Sequence, residues 1–322
     1  MRKSVLVTGG GGFIGRELLK QLLHDNYSIT CLTTNKNMVI EDNIKIEICE
    51  DNDFASVDRL KQYTQGYDAI IHLAGIAHNS YVSNSKAKDI LDLINIKYPI
   101  NLYKASLNSD ISKFLYISTI KVNGEYSGST DFKENSPLDE KNRNSYVNSK
   151  IDVEKQLTTE SQKNDNKLLS IIRPPLVYGE NIKGNLKTLV DIIKKGYHLP
   201  VKGFKNQRSM ISVYNLANFI IHILNSDITG VVKSCCKDID ISTAELVSTM
   251  SQLMNKKDLS FYFPVIILKF LAFISLKSVT LNKLEKSLKI NDEASRVMFK
   301  WKPKVTFADG IKNTINNTMG VS

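Results

Sequence analysis

The chain has 322 residues, of which 42% are hydrophobic and 24% charged, enough apolar material for one large core or a dominant domain with a smaller companion. Met1-Arg2-Lys3 runs directly into Ser4-Val5-Leu6-Val7 and a glycine cluster, which leaves no room for the apolar region of a signal peptide, and a cytoplasmic location is expected. Cys31, Cys49, Cys235 and Cys236 lack the repeated two-residue gaps of a zinc site, so they read as structural thiols with no metal role.

The net charge of +10 is unevenly placed, with 19 Lys and Arg against 21 Asp and Glu in residues 1–160 and 24 against 12 in residues 161–322. This excess reads either as solvated lysine-rich faces or as a substrate-binding half that receives an anion. No aromatic-plus-basic recognition motif accompanies it, so nucleic acid is not an expected partner.

The first element in chain order is the apolar run at residues 4–8. It is followed by TGGGGFIG at 8–15 and by a helical pattern with Ile14, Leu18, Leu19, Leu22 and Leu23 on one face. A helix N-terminus offers unpaired N–H groups and partial positive charge, and glycine admits a pyrophosphate close to the backbone. Gly9, Gly12 and Gly15 are therefore the expected contact glycines, with Phe13 and Ile14 opening the helix, and the cofactor is a nicotinamide dinucleotide. The second strand, at 28–32, runs into Thr33-Thr34-Asn35-Lys36. No carboxylate stands there to bind ribose hydroxyls, whereas Thr33, Thr34 and Lys36 suit a 2′-phosphate, so NADP is expected ahead of NAD. Asp51 and Asn52, after a third run at 44–48, are candidates to frame the adenine, with solvated loop residues as the alternative.

Further runs at 69–73 and 113–117 complete a strand–helix alternation that predicts a doubly wound parallel sheet. Tyr146 and Lys150 lie four residues apart, on one face of a helix if the segment is helical. To exchange a proton near neutrality the tyrosine must fall about 3 pKa units, worth roughly 4 kcal/mol of phenolate stabilisation. A lysine and a positive nicotinamide ring can supply that together. After Pro174-Pro175 the alternation fades and helical segments dominate from about Thr243. The expected division is a Rossmann domain over 1–175, rejoined at about 210–235, and a smaller, mainly helical substrate domain from 176–209 and 236–322. The apolar stretch 261–277 is interrupted by Pro264 and Lys269 and is shorter than the roughly 20 residues that cross a bilayer. It reads as a packed helix or as a peripheral membrane contact.

These pieces in this order resemble the extended short-chain dehydrogenase/reductases, the NAD-dependent epimerase/dehydratase family. The matching motifs are TGGGGFIG at 8–15, HLAG at 72–75, YIST at 116–119, YVNSK at 146–150, RPPLVYG at 173–179, QRSMI at 207–211 and KWKP at 300–303. The resemblance implies a catalytic group of Thr119, Tyr146 and Lys150, with Gly124 at the expected distance after Thr119 and Ser118 in support. It also implies that Lys150 binds the nicotinamide ribose, that Leu73, Ala74 and Gly75 pass beneath the cofactor, and that Asn95 supports them. Asn185 and Arg208 become candidates for gripping a nucleotide diphosphate, with Tyr214-Asn215 where the family carries an acidic pair.

Dehydratases of the family carry Asp-Glu directly after the catalytic threonine. Ile120-Lys121 stands there, which argues against elimination. The resemblance leaves a nucleotide-sugar 4-keto reductase, placed first, and a UDP-sugar 4-epimerase, with a non-catalytic NADP-binding regulator as the alternative of another class. The preferred substrate is a UDP-4-keto-6-deoxy-N-acetylhexosamine of bacterial surface-polysaccharide biosynthesis, and a homodimer is the expected assembly.

Overall fold

The strand–helix alternation becomes a parallel sheet in the computed structural model, which describes residues 2–76, 85–142, 144–162, 166–182, 184–268 and 285–319. The chain runs through β1 (Ser4–Thr8), α1 (Phe13–His24), β2 (Ser28–Thr33), β3 (Lys45–Ile48), a 3-10 turn (Asp51–Ala55), α2 (Val57–Lys61) and β4 (Ala69–His72). It continues with α3 (Ser85–Asp92), a π turn (Leu93–Lys97), α4 (Tyr98–Leu107), β5 (Lys113–Ile117), a 3-10 turn (Ile120–Asn123), α5 (Ser145–Ser161) and β6 (Leu168–Ile172). The remaining elements are β7 (Leu176–Tyr178), α6 (Asn185–Lys194), β8 (Arg208–Ser212), α7 (Val213–Asn225), β9 (Gly230–Ser234), β10 (Ile239–Ile241), α8 (Thr243–Leu253), α9 (Glu293–Met298) and α10 (Phe307–Met319).

Seven strands form one sheet in the order β3-β2-β1-β4-β5-β6-β9, and all of its ladders are parallel. Alternate residues of one strand point to opposite faces. Val5 and Val7 accordingly join a core with Leu18, Leu22, Leu216 and Phe219 of α1 and α7, while Leu6 joins Leu102, Val153 and Leu157 of α4 and α5. Both faces of the sheet are thus covered at its centre, which is why β1, β4, β5 and β6 are almost wholly buried while the edge strand β3 alternates charged and apolar residues.

The order reverses at β1 and β4, so the crevice at their carboxyl ends is the topological switch point where such sheets bind ligands. Beyond β6, a small sheet of order β10-β8-β7 shares a core with α6, α8 and α10 through Tyr178, Val190, Met210, Met250 and Ile311. The helices expected in the second half therefore stand beside three strands, of which β7 and β10, at three residues each, are too short to read from the pattern. No helix among the described residues is long and apolar enough to cross a membrane. Residues 269–277 of the apolar stretch lie outside the described residues. Cys31, Cys49, Cys235 and Cys236 are free and buried, and the described residues hold no cluster that could bind a metal ion.

Candidate active site

At the switch point the glycines sit where side chains cannot. Gly9 adopts φ +73°, and a Cβ there would lie 2.6 Å from Ala74 N and 2.8 Å from the Leu73 carbonyl carbon. A Cβ on Gly15 would come within 2.3 Å of Gly9 O, so this glycine lets α1 approach the loop. Gly12 donates to Gly9 O at 3.0 Å and begins α1 with no side-chain cap and no acidic residue in the first turn. The amides of Phe13, Ile14 and Gly15 thus form a helix end suited to an anion. This cradle fits a dinucleotide pyrophosphate.

The strand ends beneath the cradle are joined by a buried hydrogen bond between Thr8 Oγ1 and His72 Nδ1 at 2.9 Å. Burial brings the His72 pKa down to about 3, so the ring is neutral at physiological pH. After β4, Leu73, Ala74 and Gly75 lead to Ile76, whose N–H donates to Asn95 Oδ1 at 2.8 Å and whose carbonyl accepts from Asn95 Nδ2 at 3.0 Å. Asn95 therefore clamps the segment expected to pass beneath a cofactor. It does so from a π turn in the helix leading to α4.

Lys150 meets this segment from α5: a Cβ on Gly75 would be 3.7 Å from Lys150 Nζ and 3.5 Å from Asn95 Oδ1. The ammonium donates to Ile117 O at 2.8 Å and lies 4.5 Å from the Tyr116 ring centre and 5.9 Å from that of Tyr146. Asn144 starts α5 by accepting from Tyr146 N and Val147 N at 3.0 and 3.4 Å, and this fixes where the helix presents Tyr146. Thr119, two residues beyond Ile117, caps the next 3-10 turn by accepting from Lys121 N at 3.4 Å. Thr119, Tyr146 and Lys150 are thereby gathered around the end of β5.

Burial pushes the Tyr146 phenol up to about 12 and pulls Lys150 down to about 8 despite the opposing charge of Glu154. Desolvation sets the phenol high, and the lowering that proton exchange requires is the part expected of Lys150 jointly with a positive nicotinamide ring.

Behind the group lies a network that the pattern did not reveal. Glu154, one turn after Lys150, accepts from Ser118 Oγ at 2.5 Å and from Arg173 Nη2 at 2.5 Å. Arg173 also donates to Asn123 Oδ1 at 3.3 Å and Glu134 O at 3.1 Å. Ser118, expected to support the backbone or the cofactor, instead bonds the buried Glu154 carboxylate. At the position after Thr119, Ile120 is buried in an apolar cluster with Cys235, Leu288 and Ile290. Lys121 pairs with Glu125 at 3.2 Å, so neither residue places an acid beside Thr119.

The outlying candidates are less concentrated. Thr33 Oγ1 accepts from Asn35 N at 3.1 Å, Thr34 is exposed, and Asp51 and Asn52 are exposed at the start of the 3-10 turn after β3. Lys36 Nζ lies 3.5 Å from Glu50, so the tertiary structure brings a carboxylate to the end of β2 where the sequence shows none. Arg208 donates to Lys286 O at 3.4 Å. Burial lowers its affinity for the proton, while Glu125 and Tyr126 nearby oppose that shift. Asn185 opens α6 and is exposed. Asn215 is buried and fully engaged: it donates to Asp238 Oδ1 and Val305 O at 2.8 Å each and accepts from Lys304 N and Val305 N. Asp238 also accepts from Ser212 N and Tyr178 Oη at 2.7 Å each. The carboxylate missing after β8 is supplied from the segment before β10.

A UDP-glucose 4-epimerase of Vibrio cholerae is 30% identical over 98% of this chain and 95% of its own length. An N-acetyl-alpha-D-glucosaminyl-diphospho-ditrans,octacis-undecaprenol 4-epimerase of Escherichia coli O157:H7 is 27% identical over 82% of this chain and 76% of its own. Among solved structures, UDP-glucuronic acid 4-epimerase from Bacillus cereus in complex with NAD superposes with a TM-score of 0.76 at 17% identity, covering 99% of each chain. A dTDP-glucose 4,6-dehydratase from Bacillus anthracis in complex with NAD gives 0.74 at 19% identity, covering 99% of this chain and 97% of its own. Epimerases and dehydratases thus share the fold, which does not select between their reactions. Residues 5–233 match the model of the NAD dependent epimerase/dehydratase family, and the chain belongs to that family.

Proposed function

We propose that this protein is a nucleotide-sugar 4-epimerase that transfers hydride at C4 with NAD. The observation that carries the proposal is the convergence of Lys150, Gly75 and Asn95 with Thr119 and Tyr146 around the end of β5, next to a glycine cradle shaped for a dinucleotide. When bound, NAD supplies the hydride acceptor and, in its oxidised form, a positive ring. Gly9, Gly12 and Gly15 admit its pyrophosphate to the start of α1, Lys150 holds ribose hydroxyls, and Thr119 holds the reacting sugar oxygen. Tyr146 takes the proton of the C4 hydroxyl as that carbon is oxidised and returns it when the opposite face is reduced. Arg208 receives the substrate diphosphate, with Asn185 at the edge of the same half.

The order of the two activities changes from the sequence reading. Similarity over nearly the whole chain to a UDP-glucose 4-epimerase supports epimerisation, and the pairing of Lys36 with Glu50 weakens the case for NADP. The second reading is an NADPH-dependent 4-keto reductase acting on a UDP-4-keto-6-deoxy-N-acetylhexosamine, favoured by the hydroxyls of Thr33 and Thr34. The polyprenyl-linked relative supports a sugar diphosphate of surface-polysaccharide assembly as substrate. The deciding experiment is to purify the protein, identify its nucleotide and incubate it with UDP-glucose and UDP-N-acetylglucosamine and, separately, with a UDP-4-keto-6-deoxy-N-acetylhexosamine and NADPH. An epimerase retains NAD and forms the C4 epimer with no net change in absorbance of the reduced cofactor. Consumption of one NADPH per keto sugar, with no epimer formed, would replace this reading by the reductase.

A further inference from the structure

We propose that the edge formed by residues 194–205 and 256–268 docks on an anionic membrane surface, an inference independent of which C4 reaction the site performs. Backbone hydrogen bonds join the two segments. Leu199 N donates to Leu259 O at 3.3 Å, Phe261 N to Leu199 O at 2.9 Å and Lys202 N to Phe261 O at 3.2 Å. Gly203 lets them close, since a Cβ there would stand 2.7 Å from Phe263 O and 3.6 Å from the Tyr262 ring.

This edge has an apolar outer side. Val265 and Leu268 pack against the core of the second half, while Ile266 and Ile267, on the other side of the same turn, are 82% and 45% exposed. Tyr262 and Tyr197 are 70% and 62% exposed, and Phe261 is 40% exposed. A continuous group of large apolar side chains in water marks an interaction surface, and tyrosines combine an apolar body with a polar tip suited to the lipid headgroup level.

Charge decides what the surface meets. Lys194, Lys195, Lys202, Lys205, Lys256 and Lys257 are all exposed on these two segments. The acidic residue within them, Asp258, accepts from Ser260 N at 2.8 Å. Asp191, just before the first segment, is paired with Lys187. Lysines around protruding Ile, Phe and Tyr side chains complement a bilayer whose anionic headgroups lie above its hydrocarbon. Arg208 lies three positions after Lys205, a span of at most about 11 Å of extended chain. A bilayer at this edge therefore lies close to Arg208.

The test is co-sedimentation of the full chain with vesicles of phosphatidylcholine alone or mixed equally with phosphatidylglycerol. Wild-type protein is expected to pellet with the anionic vesicles only and to be released at about 0.5 M salt. Lys256→Glu/Lys257→Glu is expected to weaken binding by about 30-fold or more, at roughly 1 kcal/mol for each lysine lost. Tyr262→Ser/Ile266→Ser should weaken it while leaving turnover of a water-soluble UDP-sugar unchanged, which shows that the variants fold and separates this proposal from the proposed activity. Failure of the wild type to pellet, or pelleting that neither variant reduces, would overturn the proposal. So would a wild-type dimer that Tyr262→Ser/Ile266→Ser converts to a monomer, which assigns the face to a second copy. Salt-sensitive retention on RNA without vesicle binding would assign the lysines to nucleic acid and equally overturn it.

Discussion

Glu154 and Arg173, each about 1% exposed, form a buried ion pair that also receives the hydroxyl of Ser118. The pair ties α5, which carries Lys150, to β6 and to the residue preceding Thr119. Removing one partner of such a pair leaves a buried charge uncompensated and costs about 3–5 kcal/mol. Glu154→Gln is expected to lower the urea midpoint accordingly, whereas Ser118→Ala loses one hydrogen bond, about 1 kcal/mol. Equal midpoints for Glu154→Gln and wild type would show that the pair does not hold these elements together.

Tyr146→Phe removes the proton-carrying oxygen and keeps the ring packed against Val122, Val147 and Ile151. Nucleotide binding, followed by fluorescence titration, is expected to be unchanged, and turnover is expected to fall about 10²- to 10⁴-fold. Thr119→Val should lose turnover while Thr119→Ser retains most of it. Near-normal turnover in Tyr146→Phe would remove the tyrosine as the acid and base.

The pH dependence of stability tests the burial of the lysine. Lys150 is held down at about 8 against an ordinary 10.5, so between these values the unfolded chain binds more protons than the native one. This contribution is fully present above 10.5, and it is lost as pH falls through about 8. Tyr146, pushed from 10.0 to about 12, acts with the opposite sign: its contribution is full below 10.0 and is lost as pH rises through about 12. Lys150→Met is therefore expected to lack a stability gain that wild type shows from about pH 8 to pH 10. Parallel urea midpoints for the two proteins across that window would contradict the shift.

Lys36 and Glu50 are both exposed, and an exposed pair is worth at most about 1 kcal/mol. Glu50→Gln frees Lys36 and removes a negative charge, so the ratio of NADP to NAD affinity should rise about fivefold. Lys36→Ala should lower that ratio and leave NAD binding little changed. Calorimetric titration with both nucleotides measures it, and an unaltered ratio in both variants would separate the pair from cofactor choice.

Arg208→Ala should act on binding. A hydrogen bond to a charged group contributes about 1.5–3 kcal/mol, so KM is expected to rise about 10- to 100-fold with a small change in kcat. Steady-state kinetics against UDP-sugar concentration would read it. A loss confined to kcat would move Arg208 from diphosphate binding to the reacting carbon.

The local pattern of the sequence specified the switch-point end of the sheet. Strand, glycine loop and helix are contiguous at residues 4–24, and the helical spacing of Tyr146 and Lys150 lies within one element, so short-range geometry carried both. The apolar runs likewise foretold β1 to β5. Tertiary structure decided the partners that chain distance conceals. Glu154 meets Arg173 across 19 residues, Asn215 finds Asp238 across 23, and Glu50 reaches Lys36 because β2 and β3 end side by side. It also decided how far burial raises the Tyr146 phenol. Desolvation depends on everything packed around a group, whereas the spacing of two residues on a helix records only that they are neighbours.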